Sequence, residues 1–215
     1  MKPGVAASLT IVHALAGTDN LYVNFNGLRL TDGTYFSDLQ TLTYGFAQNF
    51  GGYSGSQQIG ISRPSDTASQ NKHLLLLNLD LALNSMQTLF IAGSAAFPDT
   101  VLSNDVLPYQ AQNDSTVGVR FVNLSVNNPT IDIGLGGNMI NSEQSMLPYK
   151  ALTAYALHSL RSSQASYVFE FRDHESGELL GSCVVDEQQR SKNLTLILLP
   201  QPEIFFGSRV VITGN

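Results

Sequence analysis

Three things are scarce in this sequence of 215 residues: cysteine, charge and long apolar runs. Cys183 is the single cysteine, which excludes a disulfide framework and any metal site built from several thiolates. Charged residues make up 13 % of the chain, against roughly a quarter in an average soluble domain. The 17 acidic residues outnumber the 11 basic ones, giving a formal net charge of −6. We therefore expect no nucleic acid partner, because binding to phosphates needs clustered Lys and Arg.

The sequence also lacks an apolar stretch long enough to cross a bilayer, which takes about 18 residues or more. The most apolar run, residues 74–83, is interrupted by Asn78 and Asp80. Residues 1–4 lack the apolar core of a signal peptide, which leaves two interpretations: a cytoplasmic protein, or a mature chain that has lost its leader. We favour the second, because the Lys-Pro-Gly start fits a trimmed tether and the Ser, Asn and Thr content suits an exported protein.

Apolar residues alternate with a period of two along most of the chain. In residues 20–26, for example, Leu21, Val23 and Phe25 fall on one side, as expected of a half-buried strand. The pattern recurs in residues 8–15, 42–46, 59–61, 74–83, 89–91, 117–122, 131–135, 167–171, 179–185, 194–198 and 209–212. Turn-forming clusters separate these runs, and no segment of ten or more residues has the pattern of an amphipathic helix. The sequence predicts an all-β protein, either a sandwich or a barrel.

The sequence also repeats itself. Residues 11–13 precede the similar residues 121–123 by 110 positions, and the apolar residues of 21–25 match those of 131–135 at the same offset. We infer one module of ~100 residues, a common domain size, present twice. The predicted domains are 1–113 and 114–215, divided within the polar stretch 108–116. Each half carries a net charge of −3, yet the first glutamate of the chain is Glu143.

Two phrases of the sequence carry a family resemblance. The first is Ile-Val-His-Ala at 11–14 followed by Leu-Tyr-Val-Asn-Phe-Asn-Gly at 21–27, and the second is residues 119–125 followed by 130–133. Both resemble the opening of the domain of unknown function 4397 (DUF4397), roughly R-h-h-H/N-x-S/P and then a-h-D-h-y-h-n-G, with h apolar. Residues 98–105 resemble that family's inter-repeat segment. In the first copy, residues 15–18 replace a Pro-rich stretch and Tyr22 replaces the Asp that is Asp132 in the second.

The resemblance implies a fold and a compartment. It implies two tandem antiparallel β-sandwiches of the immunoglobulin-like or transthyretin-like kind, in an exported or lipid-anchored bacterial envelope protein of the Bacteroidetes type. A lipid-bearing cysteine would then precede residue 1, and this anchor would be the protein's contact with the membrane. The expected location is the periplasm or the outer cell surface. The resemblance implies no catalytic residues, because the family has none assigned.

Candidate chemical groups all have a structural interpretation that we favour. We expect His13 and His73, on apolar strand faces, to be hydrogen-bonded interior residues, and His174 to lie in a solvated turn at residues 172–178. We expect Cys183 to be a buried thiol that packs as a small hydrophobe. Residues 52–56 do not form the G-x-S-x-G motif of a serine hydrolase. We predict no catalytic residue, metal site or cofactor.

Aromatic residues are concentrated in residues 32–55, interleaved with Gly, Asn, Gln and Ser. Such rings suit sugar stacking or a protein contact, and the predicted binding residues are Tyr35, Phe36, Phe50 and Tyr53. In the alternative interpretation, a strand takes up residues 44 and 46, and Phe50 and Tyr53 fill the end of the sandwich.

Three functions remain open from the sequence. The first is a non-enzymatic envelope protein that binds, adheres or serves as a scaffold, with an unidentified protein or glycan at the cell surface as its partner. The second is a carbohydrate-binding accessory protein of a polysaccharide-uptake system. The third is a hydrolase with its site in a cleft between the two halves, since paired carboxylates cannot be recognised from sequence.

Overall fold

A computed structural model describes residues 6–26, 40–66, 73–111, 114–136, 138–161, 166–200 and 209–214. The chain forms two compact units, residues 1–105 and 106–215. In the described part of the chain all regular structure is β, apart from two short 3-10 turns at Pro64–Asp66 and Glu187–Gln189. None of the helices found in these ranges is long or apolar enough to span a membrane.

The first unit is built from two four-stranded sheets. Its strands are β1 (Ala6–His13), β2 (Asn20–Asn26), β3 (Gln40–Thr43), β4 (Ala47–Tyr53), β5 (Gly55–Ser62), β6 (Leu75–Leu81), β7 (Met86–Gly93) and β8 (Pro98–Asn104). One sheet has the order β4-β1-β7-β8 and the other β3-β2-β5-β6. The apolar positions of both sheets meet in one core, which is what the alternation of side chains along a strand requires. Its buried members are Ala7, Leu9, Ile11, Leu15, Leu21, Val23, Leu42, Ile59, Ile61, Leu81, Leu89 and Ile91.

The second unit has the same strand order. Its strands are β9 (Thr116–Asn123), β10 (Thr130–Leu135), β11 (Asn138–Pro148), β12 (Ala156–Ser159), β13 (Ser166–Asp173), β14 (Leu179–Asp186), β15 (Asn193–Leu199) and β16 (Arg209–Gly214). They form the sheets β12-β9-β15-β16 and β11-β10-β13-β14. The core between them contains three phenylalanines, and the ring of Phe121 meets those of Phe169 and Phe171 edge to face. Each unit is therefore a β-sandwich.

One pairing in each unit differs from the all-antiparallel expectation. The first and seventh strands of the first unit run parallel, with Ser8 beside Met86. The corresponding strands β9 and β15 of the second unit do the same, with Arg120 beside Thr195. The remaining pairings between strands are antiparallel. Alternation along a strand shows which residues face the core but not the direction of its neighbour, so the sequence could not predict this.

The two units share a backbone turn that holds the end of their first strand. In the first unit the N–H of Gly45 donates to the carbonyl of His13, and in the second the N–H of Lys150 donates to that of Asn123, both at 2.8 Å. Both donors have a positive φ, 78° at Gly45 and 67° at Lys150. A left-handed conformation is natural for glycine but uncommon for lysine. The same backbone geometry is thus present in both turns despite different residues.

Several segments differ from the sequence predictions. Residues 42–46 do not form one strand, because β3 ends at Thr43 and a turn precedes β4. In the segment 98–105, which resembles an inter-repeat segment, residues 98–104 form β8 and complete the first unit. The predicted division at residue 113 lies eight residues beyond the boundary of the compact units at 105. The intervening segment is tied to the second unit, where the Gln110 amide donates to the carbonyl of Lys192 and to the side chain of Asn193.

Candidate functional site

The predicted aromatic binding residues do not come together as one described surface. Tyr35 and Phe36 lie outside the described residues, and Tyr53 is the last residue of β4, paired with Ala6. Phe50 is half-buried against the core of the first unit, with its ring centroid 5.0 Å from that of Phe25. This position favours the alternative interpretation, in which Phe50 fills the sandwich.

A polar surface lies on the outer side of the sheet β3-β2-β5-β6, and we call it the amide face. Leu21, Val23 and Phe25 of β2 contact the core, so Tyr22 and Asn24 between them point outward. The same alternation places polar residues of β5 and β6 on this side. The amide face consists of Tyr22, Asn24, Gln58, Ser62 and Asn78, together with His73, which precedes β6.

Hydrogen bonds hold several side chains of the amide face in place. The Gln58 Nε2 donates to the Asn78 Oδ1 at 3.2 Å, across the paired strands β5 and β6. Near the edge of the sheet, the Thr43 hydroxyl donates to the Asn20 Oδ1 at 3.0 Å. An amide side chain carries both donors and acceptors, so a fixed amide pair can serve further partners with hydroxyl groups. The arrangement presents neutral hydrogen-bonding groups in a defined geometry.

Gly60 makes room for an imidazole on this face. The His73 Nδ1 lies 3.1 Å from the Ser62 hydroxyl, and the ring lies directly over the backbone of Gly60. A Cβ at Gly60 would meet two ring atoms of His73 at 2.7 Å, closer than atoms in contact can approach. The absence of a side chain at Gly60 therefore determines where His73 sits.

The corresponding face of the second unit is charged. Asp132 of β10 occupies the position that Tyr22 has on β2, and its carboxylate lies 2.9 Å from the His174 Nδ1. Beside it, the Arg172 guanidinium forms an ion pair with Glu170 at 2.9 Å. The amide face instead carries no charged residue on β2 or β5, and on β6 Asp80 follows Asn78 by two positions on the same side of the strand. Two similar scaffolds thus present different chemistry.

Asp132 joins three parts of the second unit. Its carboxylate accepts from the Met146 N–H at 2.8 Å and the Ser145 hydroxyl at 3.3 Å, besides its contact with His174. Although burial acts to raise the pKa of Asp132, these bonds together hold it below its ordinary value. The sequence predicts that His174 lies in a solvated turn. The turn is there, but His174 is only partly exposed because it binds Asp132.

The other groups that chemistry could use are engaged inside the sandwiches. His13 is buried and hydrogen-bonded, as predicted, and burial lowers its pKa to about 4. Cys183 is buried in the core of the second unit, also as predicted, and burial raises the pKa of its thiol to about 12. His158 lies among Tyr167 and Phe169, with its Nε2 3.8 Å from the Glu143 carboxylate. Within the described ranges, no three His, Cys, Asp or Glu side chains converge as a metal site would need.

Comparison with protein families places the sequence. The model of a domain of unknown function, DUF4397, matches residues 7–134, which is more than half of the chain. The chain belongs to the DUF4397 family. The sequence matches none of the curated proteins.

The match begins at the second residue of β1, covers β2 to β9 and ends within β10 of the second unit. His13 and Asn123 occupy the H/N position of the DUF4397 pattern, and both lie at the end of the first strand of a unit. Asp132 occupies the Asp position in the second strand. The structure explains the H/N position and the Asp position, since the side chains of His13, Asn123 and Asp132 each accept a hydrogen bond from a backbone N–H.

Solved structures show weak similarity to this DUF4397 protein. A family 26 carbohydrate-binding module of Eubacterium rectale Amy13K, in complex with maltoheptaose, is 12 % identical, with a TM-score of 0.31 and coverage of 97 % of this chain and 96 % of that one. An α-glucan-binding streptococcal virulence factor is 11 % identical, with a TM-score of 0.29 and coverage of 89 % and 93 %. A putative adhesin from Bacteroides ovatus is 11 % identical, with a TM-score of 0.24 and coverage of 98 % and 95 %. Because these TM-scores and identities are low, the similarities support no conclusion about ligand or activity.

The residues of the amide face were missed by sequence reasoning. Asn24, Gln58 and Asn78 stand at alternate positions between apolar residues, which is also the pattern of an ordinary solvated strand face. The available signal was the lack of charge at these positions. The contact between Asp132 and His174 joins residues that are 42 positions apart, and no local pattern indicates it.

Proposed function

We propose that this DUF4397 protein is a non-enzymatic binding protein of the cell envelope. It contains two copies of one domain, and the amide face of the first copy binds a neutral glycan. The observation that carries the proposal is the amide face itself, which brings amide, hydroxyl, imidazole and phenol groups together on one side of a sheet. Sugars present adjacent hydroxyls and apolar ring faces, which such groups complement. The protein's net charge of −6 works against acidic polysaccharides.

Two observations support the duplication. Both units have the same strand order, including the parallel pair of the first and seventh strands. Both also close the end of the first strand with a turn whose donor has a positive φ. A shared origin explains this agreement better than chance, because both turns keep the same backbone geometry although their residues differ. We further propose that the two copies are tandem β-sandwiches of the immunoglobulin-like or transthyretin-like class.

The structural use of reactive groups supports binding rather than catalysis. A nucleophilic thiol needs a lowered pKa, whereas that of Cys183 is raised. A general base needs access to substrate, whereas His13 is fully buried. Asp132 and His174 are linked to each other and to a backbone N–H, so their contacts hold the second sandwich together.

Export and lipid anchoring complete the proposal. The strands of the amide face carry Asn, Gln, Ser and Thr on their outer side, the composition that we expect of an exported protein. Triton X-114 partition of the protein from its native cells tests the anchor, and protease treatment of intact cells tests surface exposure. We expect the protein in the detergent phase. Recovery in the aqueous phase together with cytoplasmic markers would contradict this part of the proposal.

Affinity electrophoresis and calorimetry test glycan binding directly. The probes are neutral polysaccharides (starch, mixed-linkage β-glucan and galactomannan) and acidic ones (pectate and alginate). We expect binding to at least one neutral probe and none to the acidic ones, with loss of binding in the Gln58→Ala/Asn78→Ala variant. Gln144→Ala is the matched control, because this glutamine of the second unit donates only to its neighbour's carbonyl. Equal binding by the double variant, or no binding to any probe, would refute the assignment.

A protein contact is a second candidate function, and the hairpin between β7 and β8 favours it. Phe97 is 81 % exposed at its tip. Reciprocal backbone bonds between Ser94 and Phe97 fix the loop, and Gly93 has a φ of +84° and no space for a Cβ beside the Phe97 carbonyl. A rigid exposed ring is a suitable anchor for adhesion. Adhesion to cells that survives periodate treatment of their glycans, and that Phe97→Ala removes but Phe46→Ala does not, would support this function.

A further inference from the structure

His13 makes a hydrogen-bond network that fixes its protonation state. Its Nδ1 accepts from the N–H of Leu15 at 3.2 Å, and a ring nitrogen that accepts cannot carry a proton. The other nitrogen, Nε2, therefore holds the hydrogen and donates to the Thr18 hydroxyl at 3.3 Å. Thr18 in turn donates to the carbonyl of Leu15 at 3.0 Å. The neutral imidazole thus connects the end of β1 to the corner that leads into β2.

The second unit forms the same corner without a titratable group. Asn123 is equally buried at the end of β9, and its Oδ1 accepts from the N–H of Ser125 at 3.1 Å. The acceptor lies two residues before the donor in both units. An amide oxygen remains an acceptor at any pH from 3 to 9 or so, whereas an imidazole nitrogen does not.

We propose that His13 is an acid-sensitive latch of the first unit: protonation at Nδ1 breaks the bond to Leu15 and opens the corner between β1 and β2, while the corner at Asn123 stays closed. The proton comes from solvent and adds to the Nδ1 lone pair, and no other bond changes. The resulting imidazolium would be a buried charge, and its new Nδ1–H would face the backbone N–H of Leu15. Such a group is costly unless it is paired.

The surroundings of His13 offer no such pair. The Tyr44 ring meets it edge-on at 5.4 Å from the turn after β3, and the residue beside it on β7 is the apolar Ile91. Asp19, the acid on the same corner, is exposed and contributes only its backbone carbonyl, to Tyr44. No ion pair joins His13 to a carboxylate of the described ranges. Burial lowers the pKa of His13 to about 4, and a hydrogen bond with the Thr18 backbone, which acts to raise the pKa, does not offset the effect of burial.

His158 of the second unit provides a contrast. It is also largely buried, but the Glu143 carboxylate lies 3.8 Å from its Nε2. The other neighbours in contact with its ring are Tyr167 and Phe169 of β13. Burial lowers the pKa of His158 too, but the negative charge of Glu143 acts against this shift. His13 has no such carboxylate within the described ranges, so we expect acid to disturb the first unit before the second.

Reciprocal substitutions in the full chain test the latch. His13→Asn gives the first unit the amide of the second, and Asn123→His gives the second unit the imidazole of the first. Unfolding by urea is measured between pH 7.5 and 4.5, with backbone NMR signals of Leu15 and Ser125 as local reporters. The unfolding constant of the wild type relative to His13→Asn should rise about tenfold per pH unit below about 6.5, because the unfolded chain binds one more proton. Asn123→His should transfer this dependence to the second unit.

Parallel pH profiles of two folded proteins, wild type and His13→Asn, would overturn the proposal. If His13→Asn does not fold, ring NMR of the wild type decides the question. A titration midpoint of the His13 ring near the ordinary value, or a Leu15 signal that does not move as the ring titrates, would equally refute the latch. None of these measurements depends on a glycan, so they stand apart from the proposed function.

Discussion

Replacing Gly60 by alanine separates the role of the amide face in binding from its role in stability. The new Cβ would lie 2.7 Å from the His73 ring, so the ring must leave its position and lose its 3.1 Å contact with Ser62. A hydrogen bond of this kind contributes about 0.5–1.5 kcal/mol. Alanine in a strand in turn gains about 0.5–1 kcal/mol over glycine. The two terms nearly cancel, and the net change should stay within about 1 kcal/mol.

Gly51→Ala is the matched control for this substitution. Gly51 lies on β4 of the same unit, and a Cβ there would meet nothing within 4 Å. The control should therefore show only the gain, a rise of a few degrees in melting temperature. Gly60→Ala should melt close to the wild type but lose most of its affinity for the neutral glycan. NMR signals of Ser62 and His73 should shift in Gly60→Ala and remain in place in Gly51→Ala.

Two results would refute this reasoning. If Gly60→Ala stabilises the protein as much as Gly51→Ala and leaves the Ser62 and His73 signals unchanged, the ring does not lie over Gly60. If the signals shift but glycan affinity is unchanged, His73 is displaced without consequence, and the binding surface lies elsewhere.

Three further predictions concern the second unit. In urea unfolding at pH 7, Asp132→Asn should lower the free energy of unfolding by about 1.5–3 kcal/mol, the range for hydrogen bonds to a charged group. Because the pKa of Asp132 is lowered in the fold, its contribution to stability is complete above its ordinary pKa and is lost as the pH falls through the folded value. The unfolding free energies of the wild type and the variant should therefore converge in acid. A difference that stays constant with pH would contradict this prediction. Cys183, with a thiol pKa of about 12, should resist iodoacetamide at pH 8 until the second unit unfolds, and rapid labelling of the native protein would show that it is accessible. Phe169→Ala removes a fully buried ring and should cost about 3–5 kcal/mol in the second unit, with Val168→Ala on the exposed side of the same strand as the near-neutral control.

Sequence reasoning identified the central strands of the sheets and the edge strands β6, β14 and β16, but it missed other edge strands. Strands such as β2 and β10 have neighbours on both sides, and their alternating apolar residues all reach the core. The missed strands β4, β8, β11 and β12 lie at sheet edges, where fewer positions are buried and the pattern fades. A strand such as β8, with no fully buried residue, cannot be told from a polar linker by periodicity.

The candidate site shows a different limit. Roles that depend on one residue and its own strand, such as those of His13 and Cys183, followed from the sequence because apolar neighbours indicated burial. The position of His73 over Gly60 depends on the pairing of strands, and the contact of Asp132 with His174 depends on how two hairpins meet. Such contacts require the register of the sheet, which a single sequence does not specify.

The parallel pairing of the first and last central strands has a consequence for biosynthesis. β1 receives its parallel neighbour β7 only after more than 70 further residues have been made, as the partners Ser8 and Met86 show. A ribosome-bound chain that ends after β6 would hold β1 beside β4 alone. Contacts between such distant segments are slow to form, so we expect each unit to fold late and in one step once it has left the ribosome. Nascent chains that stop short of β7 should accordingly be cut quickly by protease.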